Sequence, residues 1–135
     1  MIVTAPHADD GGTQNGCVFV LFLRISGQVL SHQRISNTQG EFTGLFSDTA
    51  LVGWDSSLLG DLDSDSYSDL VLSAPGDDAE AGAVYVIFLS PDGTCVSHQK
   101  LDSSGSGGFT AGLGAGIEWG YAVGALGDLN GDEVR

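Results

Sequence analysis

The chain has 135 residues, the size of one ordinary domain, and carries 18 acidic but only 4 basic side chains, for a formal net charge of -14. Nucleic acids and anionic membrane surfaces would repel so acidic a chain, which argues against both as partners. High acidity often indicates disorder, but 41% of the residues are apolar and occur in strand-length runs. We therefore expect a folded protein whose carboxylates are partly neutralised by cations.

Glycine is abundant at 21 residues, proline is scarce at 3, and no stretch has the apolar period of a helix. This pattern predicts an all-β fold of short strands and glycine-rich turns. No signal peptide is visible, and no apolar run approaches the ~20 residues that a membrane-spanning helix needs. We expect no direct membrane insertion, and if the parent protein is secreted, its signal lies outside this chain. The sequence leaves the pairing state of Cys17 and Cys95 open.

The first predicted strands in chain order are the apolar run at residues 17–23 and the more polar run at residues 31–35. Residues 56–59 then lead into an acidic loop. Residues 70–74 leave that loop and end at Pro75, which cannot continue the interior of a hydrogen-bonded ladder.

The strand predicted at residues 84–89 is apolar at every position, as expected for a strand that is covered on both faces. Residues 91–94 form a predicted hairpin turn, because Gly93 tolerates the positive φ that such turns need. Residues 96–101 are the most polar strand and are expected at an outer edge. Four antiparallel strands that neighbours cover on both faces describe a β-propeller blade.

An internal repeat supports this architecture. Six segments recur in the same order with offsets of 66, 67 and 69 residues. A β-sandwich is the alternative, but it would explain the strands without explaining a repeat of about 67 residues. The matching segments are 4–6 with 73–75, 17–23 with 83–89, 31–35 with 97–101, 42–43 with 109–110, 53–54 with 120–121, and 60–63 with 127–130.

The acidic loop has the spacing of a calcium-binding loop. Asp61, Asp63 and Asp65 occupy positions 1, 3 and 5, Tyr67 offers its backbone carbonyl at position 7, and Asp69 closes the ring at position 9. Ca²⁺ takes six to eight oxygen ligands, which alternate side chains of a short loop can supply. The loop contains no histidine or cysteine, which disfavours zinc and copper, and Mg²⁺ ranks second because it retains its waters.

Two other calcium-binding motifs fit this loop less well. An EF-hand needs a glutamate at position 12, where this chain has Leu72, and it needs flanking helices, as a dockerin-like loop does. A solvated acidic turn is the remaining alternative, although the spacing recurs one repeat later. There Asp128, Asn130 and Asp132 are the predicted ligands, and the chain ends before position 9 of that loop. We expect the chain to be part of a longer protein.

At these residues the sequence resembles tandem FG-GAP repeats, the units of the integrin-α propeller and of many bacterial surface proteins. Its "GAP" corresponds to residues 73–75 and 4–6, its "FG" to residues 119–120 and 52–53, and its calcium loop to residues 61–70. The resemblance covers the whole chain and implies a partial propeller of about two repeats. Residues 1–51 would be the last three strands of one blade, 52–115 a complete blade, and 116–135 the start of a third.

The chain departs from the family at loop position 6, where the family favours glycine and this sequence has Ser66 and Glu133. A residue other than glycine in the left-handed conformation costs about 1 to 2 kcal/mol, so weakened calcium affinity is expected. Asp77 and Asp78 repeat the pair Asp9 and Asp10 and are predicted to lie in a solvated turn, with a secondary cation contact as the alternative.

The resemblance implies a non-catalytic, Ca²⁺-binding module of an extracellular or cell-surface protein that serves adhesion or ligand binding. A protein or a glycan is the expected ligand, and neighbouring blades of the same parent chain are the expected structural partners. The alternative is the propeller portion of an extracellular hydrolase or lyase whose catalytic residues lie outside this chain. We find no catalytic triad, nucleophile elbow or phosphate-binding loop in the sequence.

Overall fold

The computed structural model describes residues 1–128, and these form two antiparallel sheets whose strand order follows the chain. Besides the strands, the described residues contain two short helical turns, the four-residue α1 (Asp77–Glu80) and the 3-10 turn Ser106–Gly108. The strands of the first sheet are β1 (Ile2–Ala5), β2 (Cys17–Leu23) and β3 (Val29–Ile35). Those of the second are β4 (Ser56–Gly60), β5 (Asp69–Ala74), β6 (Ala83–Leu89) and β7 (Cys95–Leu101).

The fold is all-β, as the sequence predicted, and the four strands of the second sheet begin and end within one residue of their predicted limits. The fully apolar strand β6 is buried or half-buried along its whole length, whereas the polar strand β7 lies at the sheet edge. Gly93 has a φ of 82° in the predicted β6–β7 turn. Among residues 1–128, no helix is long and apolar enough to cross a membrane.

The sequence repeat is also a repeat of strand register. Phe19 lies opposite Arg34 in the first sheet, and Tyr85 lies opposite Lys100 in the second. Each hairpin has a register shift at the same place, after Phe22 in one and after Phe88 in the other. The two hairpins are therefore equivalent down to their irregularities.

The hydrophobic core lies between the two sheets. Alternate residues of β2 and β5, such as Val18, Val20, Leu70 and Leu72, point into it because successive side chains of a strand face opposite sides. Burial of each such side chain stabilises the fold by roughly 1.5 to 3 kcal/mol. The two sheets thus pack face to face, as successive blades of a partial β-propeller do.

Each sheet is joined to the following segment through a close backbone approach at a glycine. A Cβ on Gly16 would lie 2.2 Å from the carbonyl oxygen of Val52, and one on Gly82 would lie 2.0 Å from that of Trp119. No side chain fits at either glycine. The second contact repeats the first. The segment around Trp119 therefore packs against the second sheet in the way that the segment around Val52 packs against the first sheet.

The two cysteines, Cys17 and Cys95, are buried and not joined to each other by a disulfide bond.

Candidate metal centre

The loop between β4 and β5 brings three of the predicted ligands together. One carboxylate oxygen from each of Asp61, Asp63 and Asp65 lies within 4.8 Å of the others. A turn that places alternate side chains on the same side produces this arrangement. Three hard oxygen ligands at this spacing form part of the shell that Ca²⁺ prefers.

Hydrogen bonds to backbone amides hold two of these carboxylates in place. The two oxygens of Asp61 accept the N–H groups of Asp65, at 2.9 Å, and Ser66, at 2.8 Å. Asp65 accepts the N–H of Tyr67 at 2.8 Å. The side chains that would bind an ion therefore also hold the loop closed. Part of the conformational entropy that the loop would lose on binding an ion is thus already lost on folding.

Asp69 has a different environment from the other three aspartates. Its side chain is fully buried, and its two oxygens accept the N–H groups of Leu62, at 2.8 Å, and Leu89, at 3.2 Å. It thereby ties the start of the loop to the end of β6. Each carboxylate oxygen retains a second lone pair, so these bonds leave acceptor capacity for a cation. The roles of Asp69 and of the Tyr67 carbonyl as ligands stay predictions.

The carboxylates of the loop repel one another. Reduced solvation, together with the negative charges of Asp65, Asp69 and Asp61, raises the pKa of Asp63 above its ordinary value. Among the described residues, Arg34 and Lys100 form ion pairs with aspartates, and both lie outside this loop. A bound cation would relieve this repulsion.

The prediction that loop position 6 is left-handed is confirmed, since Ser66 has a φ of 75°. Ser64 also lies in this region, with a φ of 66°. In each of these serines the Cβ atom is crowded by the left-handed backbone, a steric strain that glycine does not have.

The second predicted loop is described only in part. Asp128 is the last described residue and is exposed, while Asn130 and Asp132 lie outside the described residues. Their role as ligands stays a prediction.

The expectation of a solvated turn at Asp77 and Asp78 is wrong for Asp77, which is only 2% exposed. Its carboxylate accepts hydrogen bonds from Tyr85, at 2.8 Å, and from Ser47 in the connection between the sheets, and it pairs with Lys100 at 3.0 Å. Asp78 is exposed, as expected.

Burial tends to raise the pKa of Asp77, but hydrogen bonds from Ser47, Tyr85 and Lys100 and the positive charge of Lys100 outweigh it and hold this pKa below its ordinary value. The same partners act on Lys100. Burial alone would lower its pKa, yet the hydrogen bonds and negative charges of Asp77 and Asp102 raise it.

The repeat contains a sequence signal for this ion pair. Lys100 occupies the repeat position of Arg34, and Arg34 pairs with Asp10 at 3.1 Å. A basic residue that recurs on an otherwise uncharged strand, together with a recurring acidic pair after the Ala-Pro, indicates one salt bridge in each unit.

These observations define a class of protein. A meandering four-stranded sheet packs on an equivalent neighbour, and an acidic loop joins its first two strands, as in a blade of a β-propeller. The FG-GAP repeat family matches residues 53–87, which include the whole acidic loop, so the chain contains a repeat of the FG-GAP family. No curated protein matches the sequence significantly.

Proposed function

We propose that this chain is a non-catalytic, Ca²⁺-binding β-propeller module of an extracellular or cell-surface protein, and that the parent protein uses it for adhesion or ligand binding. The observation that carries the proposal is the grouping of Asp61, Asp63 and Asp65 within 4.8 Å in a loop of the matched FG-GAP repeat.

The donor set fits Ca²⁺ better than other common metals. It consists of carboxylates. The Tyr67 carbonyl and the Asp69 carboxylate lie close to them in the sequence and would supply further oxygen ligands. When bound, the ion would offset two of the three negative charges of these carboxylates and link the end of β4 to the start of β5. Asp69, through Leu62 and Leu89, would extend this link to β6.

The strained loop supports an extracellular setting. Ser66 and Ser64 both hold left-handed backbone, and this strain weakens an ion site that needs the same conformation. Extracellular calcium modules work with Kd values of about 10⁻⁴ to 10⁻³ M, a range that a weakened loop can meet.

Isothermal titration of the 135-residue chain with CaCl₂ tests the proposal. We expect Ca²⁺ binding with a Kd of roughly 10⁻⁴ to 10⁻³ M, weaker Mg²⁺ binding, and a loss of Ca²⁺ affinity of at least about tenfold in Asp63→Asn. Asp48→Asn is a matched control, because Asp48 lies outside the loop and an asparagine oxygen can still accept the N–H of Thr13. Absence of Ca²⁺ binding in the wild type, or equal binding in Asp63→Asn, would contradict the proposal.

A further inference from the structure

A pocket of about 390 Å³ lies at the end of β5 that is remote from the acidic loop. The acidic loop precedes β5, whereas Pro75 and Gly76, which line the pocket, follow it. The six residues of β5 span roughly 20 Å. A ligand in this pocket would therefore not touch the calcium loop.

Two aromatic side chains form one wall of this pocket. The rings of Trp54 and Tyr121 lie 5.4 Å apart with a tilt of 52°. They are 39% and 54% exposed, so both keep accessible ring surface. An accessible aromatic face in a concave site is suited to an apolar ligand face with polarised C–H groups, because the ring face is negative.

Two carboxylates at the pocket, those of Glu80 and Glu118, are not required by the fold. The Glu118 N–H donates to the Glu80 carbonyl at 2.8 Å, and the Leu51 N–H donates to the Gln14 carbonyl at 3.1 Å in the equivalent place one repeat earlier. All four residues have a positive φ, between 46° and 64°. Since glutamine and leucine serve the same backbone role in the first unit, this backbone contact does not require the carboxylates in the second.

We propose that this pocket binds a neutral pyranose sugar, as the terminal residue of a glycan. One sugar face would stack on Trp54 and Tyr121, and its hydroxyl groups would donate to Glu80 and Glu118, in hydrogen bonds strengthened by the carboxylate charge. The Gln14 amide supplies both a donor and an acceptor. A volume of about 390 Å³ is at the lower end for small-molecule sites, which suits one sugar residue.

Charge and hydrogen-bonding capacity select this ligand over others. Two carboxylates repel uronic, sialic and sulfated sugars. A basic side chain would satisfy the carboxylates alone, whereas a sugar with several hydroxyl groups can also pair with the Gln14 amide and the Thr49 hydroxyl. The sugar site rests on the proposed ligand-binding function and names the ligand class for it, while calcium binding at the other end of β5 is independent of it.

Nuclear magnetic resonance titration of the ¹⁵N-labelled chain tests the sugar site. The probes are the methyl glycosides of glucose, galactose, mannose and N-acetylglucosamine, with methyl glucuronide as the charged counterpart. We expect at least one neutral glycoside to shift the indole N–H of Trp54, and methyl glucuronide to cause no shift. The titration is run with saturating Ca²⁺, and Ca²⁺ binding is measured separately, so failure of one site is distinguishable from failure of the other.

The repeat itself supplies substitutions that the fold tolerates. Trp54→Tyr copies Tyr121 and should retain sugar binding, whereas Trp54→Ala should weaken it at least about tenfold. Glu118→Leu and Glu80→Gln copy Leu51 and Gln14. Each should weaken binding of the neutral sugar about three- to tenfold, and the double variant should allow methyl glucuronide to bind. The proposal is overturned if no neutral glycoside binds or if Trp54→Ala binds the sugar as the wild type does. It is also overturned if only lysine and arginine methyl esters, which represent a basic ligand, shift the resonances of the pocket residues.

Discussion

Aspartates at the two ends of β5 face opposite electrostatic situations. At one end the charge of the buried Asp77 is balanced within the protein by Lys100 and by hydrogen bonds, and its pKa is lowered. At the other end Asp63 sits among carboxylates without a basic partner, and its pKa is raised. The first arrangement stabilises the fold without a bound ion, whereas the second depends on a cation from solution.

The largest expected effect comes from removing the internal cation. Lys100→Met leaves Asp77 buried and without its positive partner, and breaking a buried pair in this way costs about 3 to 5 kcal/mol. We expect the low end of this range, about 3 kcal/mol, because the Lys100 side chain is 31% exposed and solvent screens part of the interaction. Urea denaturation curves measure this loss.

Two variants control this experiment. Lys100→Arg keeps the charge and should retain most of the stability, and adding Asp77→Asn to Lys100→Met should restore part of what the single change loses. If Lys100→Met unfolded at the same urea concentration as the wild type, the ion pair would contribute nothing to the fold.

Removal of calcium should be next in size. A ligand that binds only the folded state adds about 2.7 kcal/mol of stability at a hundredfold excess over its Kd. The midpoint of thermal unfolding should therefore be several degrees higher in excess Ca²⁺ than in EDTA. Asp63→Asn should abolish the difference, and Lys100→Met should preserve it, since Lys100 lies outside the loop. Equal midpoints with and without Ca²⁺ would show that the loop is only a solvated turn.

A smaller effect is expected from acid. Because the pKa of Asp77 is lowered in the folded state, its contribution is complete above the unfolded-state value of about 3.8 and is lost as the pH falls below it. In EDTA, the wild type should therefore lose more stability between pH 5 and pH 3 than Asp77→Asn does. The free energy of unfolding from urea curves at each pH measures this, and parallel curves for the two proteins would contradict it.

The smallest predicted effect concerns strain in the loop. Ser66→Gly removes a left-handed residue that costs about 1 kcal/mol, so Ca²⁺ should bind about fivefold more tightly. Ser68→Gly is the matched control, since Ser68 has no positive φ and gains nothing from glycine. Calorimetric titration of both variants decides the question, and unchanged or weaker affinity in Ser66→Gly would show that position 6 does not limit binding.

Much of the second sheet could be predicted because its signals are local. Turn residues and apolar runs placed the strands to within one residue, and the alternating aspartates placed Asp61, Asp63 and Asp65 in one group. The left-handed conformation of Ser66 followed from its place in the loop alone. In each case neighbouring residues determine the conformation, so distant contacts add little.

Asp77 shows where local reasoning fails. As one of two adjacent acidic residues after Ala-Pro, it has the sequence of a solvated turn. Its burial depends on Ser47, which is 30 residues away in the connection between the sheets, and on Lys100, which is two strands further along. The sequence contained the matching pair Asp10 and Arg34, but only the fold shows which acidic residue of each recurring pair the basic side chain meets.

The amino-acid sequence by itself determined the repeat, the all-β fold and the spacing of the acidic loop, because each depends on residues close together in the chain. Only the tertiary structure decided which aspartates are neutralised internally and which residues line the pocket at the far end of β5. Gln14, Trp54 and Tyr121 come from three different units of the chain, and they meet only because the packing of one sheet on the next brings their loops together.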